Sequence, residues 1–415
     1  MTRLAFFLLL VTTLACRTAG ISGTPPAPVV TEKHDPAEEK KEKEKKEEKQ
    51  KERKKAVRNP SPLSPEVEND FSVALLMPLY LNKGGIGDYR MDPFLADYYE
   101  GILLALDSLR AMGINLKLYV WDTKEDTLLT RILLRKPEMK EMDLIIGPFF
   151  KEGFQLVSRF SKERAIPLVS PFSTAYLEKD ENPYSLYCNP DQAAQIRTLV
   201  TYIKKEYADA VVTLVNDGNV TTKSFIDDYQ SAAAAKYLPR ARVVDVSKDM
   251  SFRGYLHPTL QNIVLVPTDN EMAANSAINA LKDIRDSAVM IFGLGQWLSF
   301  RNIDYTVWER LHIHVISPYY VNESEGEPLR FRINYRNKFQ GEPSEFSYRG
   351  FDQMMFFGTA LMTFGKEFPT YIRGRSFPYM HSHFYFKNAG KALENEYINI
   401  LRFENYRFHR QKISF

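Results

Sequence analysis

The sequence has few cysteines, no long apolar run and almost no net charge. Among 415 residues only Cys16 and Cys188 are cysteines, so a disulfide framework is excluded as the basis of the fold. The apolar run after Arg3 is shorter than the about 20 residues that a membrane-spanning helix needs. The formal net charge of +3 arises in the segment 38–55. Because no basic domain remains, nucleic acid is not expected as a partner.

The sequence also lacks the spacings that are typical of catalysis and metal binding. It contains neither Gly-x-Ser-x-Gly nor His-Glu-x-x-His, so nucleophilic and metal-assisted catalysis are not indicated. The pairs His312/His314 and His381/His383 each place two imidazoles on one face of a strand. No carboxylate or cysteine completes either pair at a diagnostic spacing. We therefore expect no enzymatic activity, no metal and no cofactor.

The first sixteen residues resemble the signal of a bacterial lipoprotein. Arg3 precedes the apolar run Leu4–Val11, and Ala15 precedes Cys16, an order typical of an exported chain. The resemblance implies cleavage before Cys16, lipidation of Cys16, and anchoring in the inner or outer membrane with the globular part in the periplasm. An ordinary secretory signal with a chance cysteine is the alternative.

Residues 17–69 are Pro-rich, then almost entirely Lys and Glu, then Pro-rich again. Such a segment has too few apolar residues for a core. Composition leaves open whether the charged tract is a solvated helix or a coil. As a coil, roughly fifty residues have an end-to-end distance of about 40 Å. We interpret residues 17–69 as a tether that holds the folded part away from a membrane.

Short apolar strands alternate with helix-length segments through most of the remaining chain. Phe71–Leu79, Leu144–Ile146 and Ile166–Val169 are continuous apolar runs, which is typical of strands covered on both faces. After Pro190 the alternation starts again, which predicts a second lobe. An aromatic tail containing His383–Phe386 and Tyr397–Phe403 is interpreted as a terminal hairpin.

Turn residues and hydroxyl groups follow the strands at the edge where open α/β sheets bind ligands. Gly147-Pro148 follows one strand, Ser170-Pro171 follows the next, and Ser173 and Thr174 come directly after. Asp122 ends another strand, where its carboxylate either points into the binding edge or caps a helix.

The order of these motifs resembles the type I periplasmic binding protein family, in particular its branched-chain amino acid receptors. The resemblance rests on Asp122, Asp143–Pro148, Ile166–Pro171, Ser173-Thr174 and Gly350-Phe-Asp352. It implies an α/β fold of two doubly wound parallel-sheet lobes, joined by three crossovers that act as a hinge, with a ligand in the cleft.

The crossovers are expected near Tyr187–Pro190, Ser317–Tyr320 and Arg373–Phe377. Residues 70–189 and 318–373 would then form lobe I, and residues 190–317 and 374–415 would form lobe II.

The resemblance also implies ligand-binding residues. Ser173 and Thr174 match the family's hydroxyl pair, whereas Lys151 stands where the family has a ligand-binding serine. In lobe II the turn Asn216–Asn219 lacks the family's tyrosine, and no carboxylate lies around Gly295–Trp297. The predicted site comprises Ser173, Thr174, Lys151, Asp122, Asp217 and Gln296.

Two functions are compatible with the lipoprotein signal, the predicted fold and the predicted site. The first is a membrane-anchored lipoprotein that binds a small polar solute between its lobes, for capture or sensing. The second is an envelope scaffold or regulator with a degenerate cleft, which acts through contacts with protein partners in cell-wall or outer-membrane assembly.

Overall fold

The computed structural model describes residues 70–81, 92–246, 251–252, 254–284, 288–324 and 326–412. All of these residues belong to one compact unit, Val67–Phe415. Cys16 and the predicted tether therefore lie outside the described residues. Within the described part of the chain, no helix is both long enough and apolar enough to cross a membrane.

Strands and helices alternate from Asp70 to Tyr187. In chain order the elements are β1 Asp70–Met77, α1 Pro93–Ala111, β2 Asn115–Asp122, α2 Thr127–Leu134, β3 Leu144–Ile146, α3 Lys151–Arg164, β4 Leu168–Ser170 and β5 Ser185–Tyr187. The predicted strands of this region are present, and β5 is an additional strand.

A second alternating series follows. Its elements are α4 Gln192–Glu206, β6 Val211–Asn216, α5 Val220–Ala235, β7 Arg242–Asp245, β8 Asn262–Leu265, α6 Glu271–Leu281, β9 Val289–Leu294, α7 Tyr305–Arg310 and β10 His314–Ser317. The last part of the chain contains α8 Gly326–Phe339, α9 Glu345–Phe364, α10 Phe368–Ile372, β11 Ser376–Pro378, β12 His383–Ala389, β13 Ala392–Asn395, β14 Asn399–Glu404 and β15 Arg407–Arg410.

The strands form two sheets, one in each lobe. The lobe I sheet has the order β11-β12-β13-β5-β4-β3-β1-β2, and the lobe II sheet has the order β15-β14-β10-β9-β8-β6-β7. The central strands of each sheet are parallel. Strands from the end of the chain, which pair antiparallel with one another, complete one edge of each sheet. This architecture is the predicted fold class of two doubly wound parallel-sheet lobes.

Each sheet is buried on both faces, as its continuous apolar strands predict. In β1, Val73 and Leu75 belong to one core while Ala74 and Leu76 belong to another on the opposite face. The lobe II sheet likewise has a separate core on each face. Cys188 is a buried free thiol, and burial raises its pKa well above the usual value.

The chain passes between the sheets three times. The first two passages lie between β5 and α4 and after β10, where the sequence places them. The predicted third crossover at Arg373–Phe377 is wrong, because β11, β12 and β13 all pair within the lobe I sheet. The passage lies between Asn395 and Asn399, so residues 374–395 belong to lobe I.

The predicted terminal hairpin is wrong for the same reason. His383–Phe386 lies in β12, which pairs with β13, whereas β14 pairs with β10 and β15. Both segments have the alternating aromatic pattern of a strand, but that pattern does not identify the pairing partner.

Hydrogen bonds join the three crossovers. The side-chain amide of Asn395 donates to the carbonyl oxygen of Cys188 at 3.1 Å, and the amide of Asn399 donates to the carbonyl oxygen of Ser317 at 3.2 Å. Glu394 of lobe I accepts from the backbone N–H of Asp191, the N-cap of α4, at 2.7 Å. The first and second crossovers are thus each held by the third.

Candidate functional site

Lys151 and Ser173 lie close together beside the strand ends of lobe I. Both line a small recess with Tyr176 and Tyr187. Lys151 is the exposed first residue of α3, and Ser173 is also exposed. The Ser173 hydroxyl accepts from the backbone N–H of Ala175 at 3.1 Å, so its oxygen already supports a turn.

Thr174 is half-buried, and its carbonyl oxygen accepts from the backbone N–H of Leu177 at 2.9 Å. It lines neither this recess nor the cleft between the lobes.

Aromatic side chains fill the space around the Ser173 turn. The Phe172 ring packs against Tyr98, Phe149 and Phe346, with ring centroids 5.0, 5.5 and 5.5 Å apart, and against Phe94 at 5.9 Å. We call these five residues the Phe172 cluster. Aromatic pairs at such distances are favourable core contacts, and they occupy the edge where the sequence predicts a polar ligand site.

Asp122 has a structural role at the end of β2. Its carboxylate accepts backbone N–H bonds from Leu79, Tyr80 and Leu81, at 2.9, 3.1 and 2.9 Å, and from Lys124 at 3.0 Å. The helix-cap role that the sequence allowed for it belongs to Asp126, which accepts from Leu128 and Leu129 at the start of α2.

Asp122→Ala is expected to destabilise the fold by about 2–4 kcal/mol, because four N–H groups lose a charged acceptor. Asp122→Asn should cost less, since an amide oxygen still accepts. Urea unfolding of both variants measures the effect, with the exposed Asp269→Asn as control. An Asp122→Ala protein of unchanged stability would contradict the structural role.

The lobe II candidates lie at the ends of β6 and β9. The Asp217 carboxylate accepts from the backbone N–H and the side-chain amide of Asn219, at 3.0 and 2.9 Å. Partial burial acts to raise the pKa of Asp217, but hydrogen bonds from Asn219, Thr222 and Thr268 outweigh it and the pKa is lowered. Gln296 is exposed and lines the cleft between the lobes.

The cleft between the lobes has a volume of about 830 Å³. Lobe II and the first crossover contribute both polar and apolar residues to it, and the second crossover contributes two tyrosines. Its lining comprises Asn189, Gln192, Gln195, Phe225, Leu294, Gly295, Gln296, Leu298, Ser299, Ser317, Pro318, Tyr319, Tyr320, Val321, Glu345, Arg349, His381 and Phe408. Of the six predicted ligand-binding residues, Gln296 alone belongs to this lining.

Arg349 is the cation in the cleft lining. It lies on α9, and its side chain is only 14% exposed. The guanidinium lies 3.8 Å from the centroid of the Tyr319 ring and donates to Glu345 at 2.6 Å. Its Nε is buried and has no hydrogen-bond partner among the described residues. Stacking on an aromatic face is favourable for a guanidinium, so Tyr319 fixes its position.

His381 forms the wall of the cleft next to Tyr319. The two rings stack with centroids 5.2 Å apart and an interplanar angle of 8°. Burial, followed by the positive charges of Arg349 and Arg410, holds the pKa of His381 well below its usual value. His381 is therefore neutral near pH 7.

Asp352, fully buried in α9, holds the turn that carries His381. One carboxylate oxygen accepts from the backbone N–H groups of His381 and Ser382, at 2.8 and 2.6 Å. The turn before β12 is thereby attached to the helix that carries Arg349.

Arg349 and His381 are not among the residues predicted from the sequence. The resemblance draws attention to Gly350-Phe-Asp352, whereas α9 begins at Glu345 and carries Arg349. The segment after Arg373, which contains His381, was predicted to belong to lobe II. The signal for the true helix start is Ser344, whose side chain accepts from the N–H of Phe346 in a capping box with Ser347.

The two histidine pairs take part in packing. His314 stacks on Phe292 at 4.5 Å and His383 on Tyr397 at 3.6 Å, and burial lowers the pKa of each to about 4. Among the described residues, no group of three or more His, Cys, Asp or Glu side chains is arranged to hold a metal ion.

Comparison with known proteins gives a consistent picture of the fold. Residues 99–260 match a family model described as the receptor family ligand binding region. No curated protein matches the chain.

Three solved structures each cover 82% of this chain, and this chain covers 100% of each of them. A putative branched-chain amino acid ABC transporter protein from Rhodospirillum rubrum has a TM-score of 0.62 at 12% identity. The C-domain of LpoA from Haemophilus influenzae, a regulator of PBP1A, has a TM-score of 0.58 at 9% identity. An ABC transporter substrate-binding protein from Desulfitobacterium hafniense in complex with Leu has a TM-score of 0.51 at 12% identity.

Proposed function

We propose that this chain, of which residues 99–260 match the receptor family ligand binding region, belongs to the type I periplasmic binding protein family and is a non-enzymatic binding protein that captures a small polar solute between its lobes. The observation that carries this proposal is the cleft of about 830 Å³, to which both lobes and the crossovers contribute. Volumes of roughly 300–1,000 Å³ are typical of small-molecule sites.

The proposed site lies beside the crossovers, not at the Ser173 turn. Tyr319, Gln296 and Gln192 offer an aromatic body and amide groups in one cavity. The strand ends of lobe I, by contrast, are covered by the Phe172 cluster. We therefore place solute contacts on the crossovers, α4, α9 and the segment after β9.

We further propose that lipidation of Cys16 anchors the protein in the bacterial cell envelope and that residues 17–69 act as a tether. The signal-like order of Arg3, the apolar run and Cys16 supports the anchor. Growth with labelled palmitate tests it: wild type should incorporate the label, and Cys16→Ser should not.

Solute binding is tested by differential scanning fluorimetry of the full chain in detergent against a broad metabolite panel. At least one solute is expected to raise the melting temperature. Gln296→Ala should lower the affinity for that solute by about fivefold, because one hydrogen bond contributes about 1 kcal/mol. Thr174→Ala, outside the cleft lining, is the matched control and should bind as wild type does.

Two results would count against this placement of the site. If Thr174→Ala or Ser173→Ala abolishes binding while Gln296→Ala does not, the solute binds at the Ser173 turn. If no solute on the panel binds, solute capture itself loses support.

A second candidate function is an envelope scaffold or regulator that acts through protein contacts. The Phe172 cluster favours it, since aromatic side chains fill an edge where the sequence predicts hydroxyl groups free for a ligand. Crosslinking in intact cells followed by affinity capture discriminates the two. A permease partner supports solute capture, and a cell-wall or outer-membrane assembly supports the scaffold.

A further inference from the structure

Two arginines, one from each lobe, lie against adjacent tyrosines of the second crossover. Arg349 of α9, in lobe I, lies 3.8 Å from the Tyr319 ring centroid. Arg410 of β15, in lobe II, lies 5.5 Å from the Tyr320 ring centroid and donates to the Tyr320 carbonyl oxygen. Both positive charges act on the neutral His381 in the cleft wall. Arg349 thus lines the cleft, and Arg410 of the other lobe contacts Tyr320, a residue of that lining.

Glu345 is the only carboxylate in the described lining of the cleft. Its side chain is 52% exposed, and it accepts one hydrogen bond from Arg349. A guanidinium has five N–H donors, yet Glu345 is its only hydrogen-bonding acceptor among the described residues, and Nε is buried without a partner. Arg349 is therefore held firmly by stacking but has few hydrogen bonds.

The exchange of one carboxylate for another at Arg349 would cost little. A solvated carboxylate in an exposed ion pair contributes about 0–1 kcal/mol, whereas a bidentate contact to a guanidinium in a more enclosed cleft is stronger. An incoming anion would replace Glu345 without leaving a buried charge unpaired, since Glu345 can turn into solvent.

From this arrangement we propose that the solute carries an oxyanion group, a carboxylate or a phosphate, which displaces Glu345 from Arg349 and attracts Arg410 as the lobes close. Glu345 occupies the anion position in the empty cleft and competes with the solute. The inference rests on the proposed function, since it names the chemical class of solute for the same cleft.

The test uses the full chain in detergent and isothermal titration with three groups of probes: acetate and succinate, inorganic phosphate, and neutral glucose. At least one anion is expected to bind, and the carboxylate and phosphate arms show which oxyanion the cleft accepts. Glu345→Gln should raise the affinity for that anion by about threefold, which corresponds to the free energy of an exposed ion pair. Arg410→Gln should lower the affinity for the anion by about tenfold, which corresponds to the loss of one charge-assisted hydrogen bond.

Arg349→Lys keeps the positive charge but removes the planar guanidinium that can bind an anion through two hydrogen bonds. It should also lower the affinity for the anion by about tenfold. Arg349 is packed, so its replacement could also disturb the fold; the exposed Arg410 avoids that difficulty. The matched control is Arg131→Gln, an exposed arginine on α2, which should bind as wild type does.

The outcomes separate this inference from the function on which it rests. Binding of glucose or another neutral solute without binding of any anion overturns the inference and leaves solute capture intact. Anion binding that is unchanged in Glu345→Gln and Arg410→Gln also overturns it. Failure of every probe and of the wider metabolite panel removes both the inference and the proposed function.

Discussion

Gly350→Ala is expected to lower the free energy of unfolding by about 2–3 kcal/mol, as overpacking of a dense contact does. Helices α1 and α9 cross with almost no space between their backbones. A Cβ atom on Gly350 would lie 2.0 Å from the carbonyl oxygen of Tyr98, and one on Gly101 would lie 2.0 Å from that of Ser347. Because the obstructing atoms are backbone, a side chain cannot rotate away to relieve the contact.

The sign of this effect is informative. Alanine normally stabilises a helix relative to glycine by about 1 kcal/mol, so a loss shows that the helix contact dominates. Urea unfolding measures it. Gly341→Ala is the control, since no atom lies within 4 Å of its added Cβ, and it should change stability little. If Gly350→Ala is as stable as wild type, the close crossing of α1 and α9 is wrong.

Asp352→Ala is expected to destabilise the protein by about 3–5 kcal/mol at pH 5, since it removes a buried acceptor and leaves a cavity. The N–H groups of His381 and Ser382 would lose their acceptor. Tyr319 would lose a well-placed stacking partner as the His381 turn loosens. Solute binding in the cleft should therefore weaken along with stability.

The pH dependence of stability identifies the same carboxyl group. Burial raises the pKa of Asp352 to about 7, although N–H bonds from Ser382, His381 and Met380 oppose the rise. Its second oxygen has no partner among the described residues. A raised folded-state pKa means that its contribution to stability is fully present below about pH 4 and is lost as the pH rises through about 7.

Asp352→Asn should therefore show a smaller loss of stability than wild type between pH 5 and 8, because the amide cannot ionise and still offers an acceptor. The exposed Asp269→Asn should keep the wild-type profile. Glu394 contributes to the same pH window, since burial also raises its pKa to about 7, so part of the slope should remain. An unchanged slope in Asp352→Asn would contradict the assignment.

Much of the fold is predictable from local pattern. Continuous apolar runs such as Leu144–Ile146 identify strands buried on both faces, because each face of the sheet has its own core. In α1, Tyr98, Ile102 and Leu109 recur at helical spacing and are buried on one face. These signals are local, so one sequence suffices to read them.

The third crossover was not predictable because the alternation in β12 and β14 says only that each is a strand. Pairing is decided by distant partners: β12 joins β13, while β14 joins β10. Residues 374–395 consequently belong to lobe I, so His381 is a lobe I residue of the cleft wall.

The site was less predictable than the fold. Ser173 and Lys151 lie near one another beside the strand ends of lobe I, but the sequence does not show that Phe149 and Phe346 converge on Phe172 from other elements. Arg349 is likewise inconspicuous in sequence, since its stacking on Tyr319 depends on two elements from separate parts of the chain.

The central claim is that the lobes close on a solute, and the distance between them measures it directly. Lys151→Cys and Val220→Cys place spin labels on exposed residues, one in each lobe. The background is Cys16→Ser, and the buried Cys188 is protected from labelling. Pulsed electron paramagnetic resonance should show a shorter distance when the solute found in the titrations is added. The same distance with and without a bound solute would contradict the account.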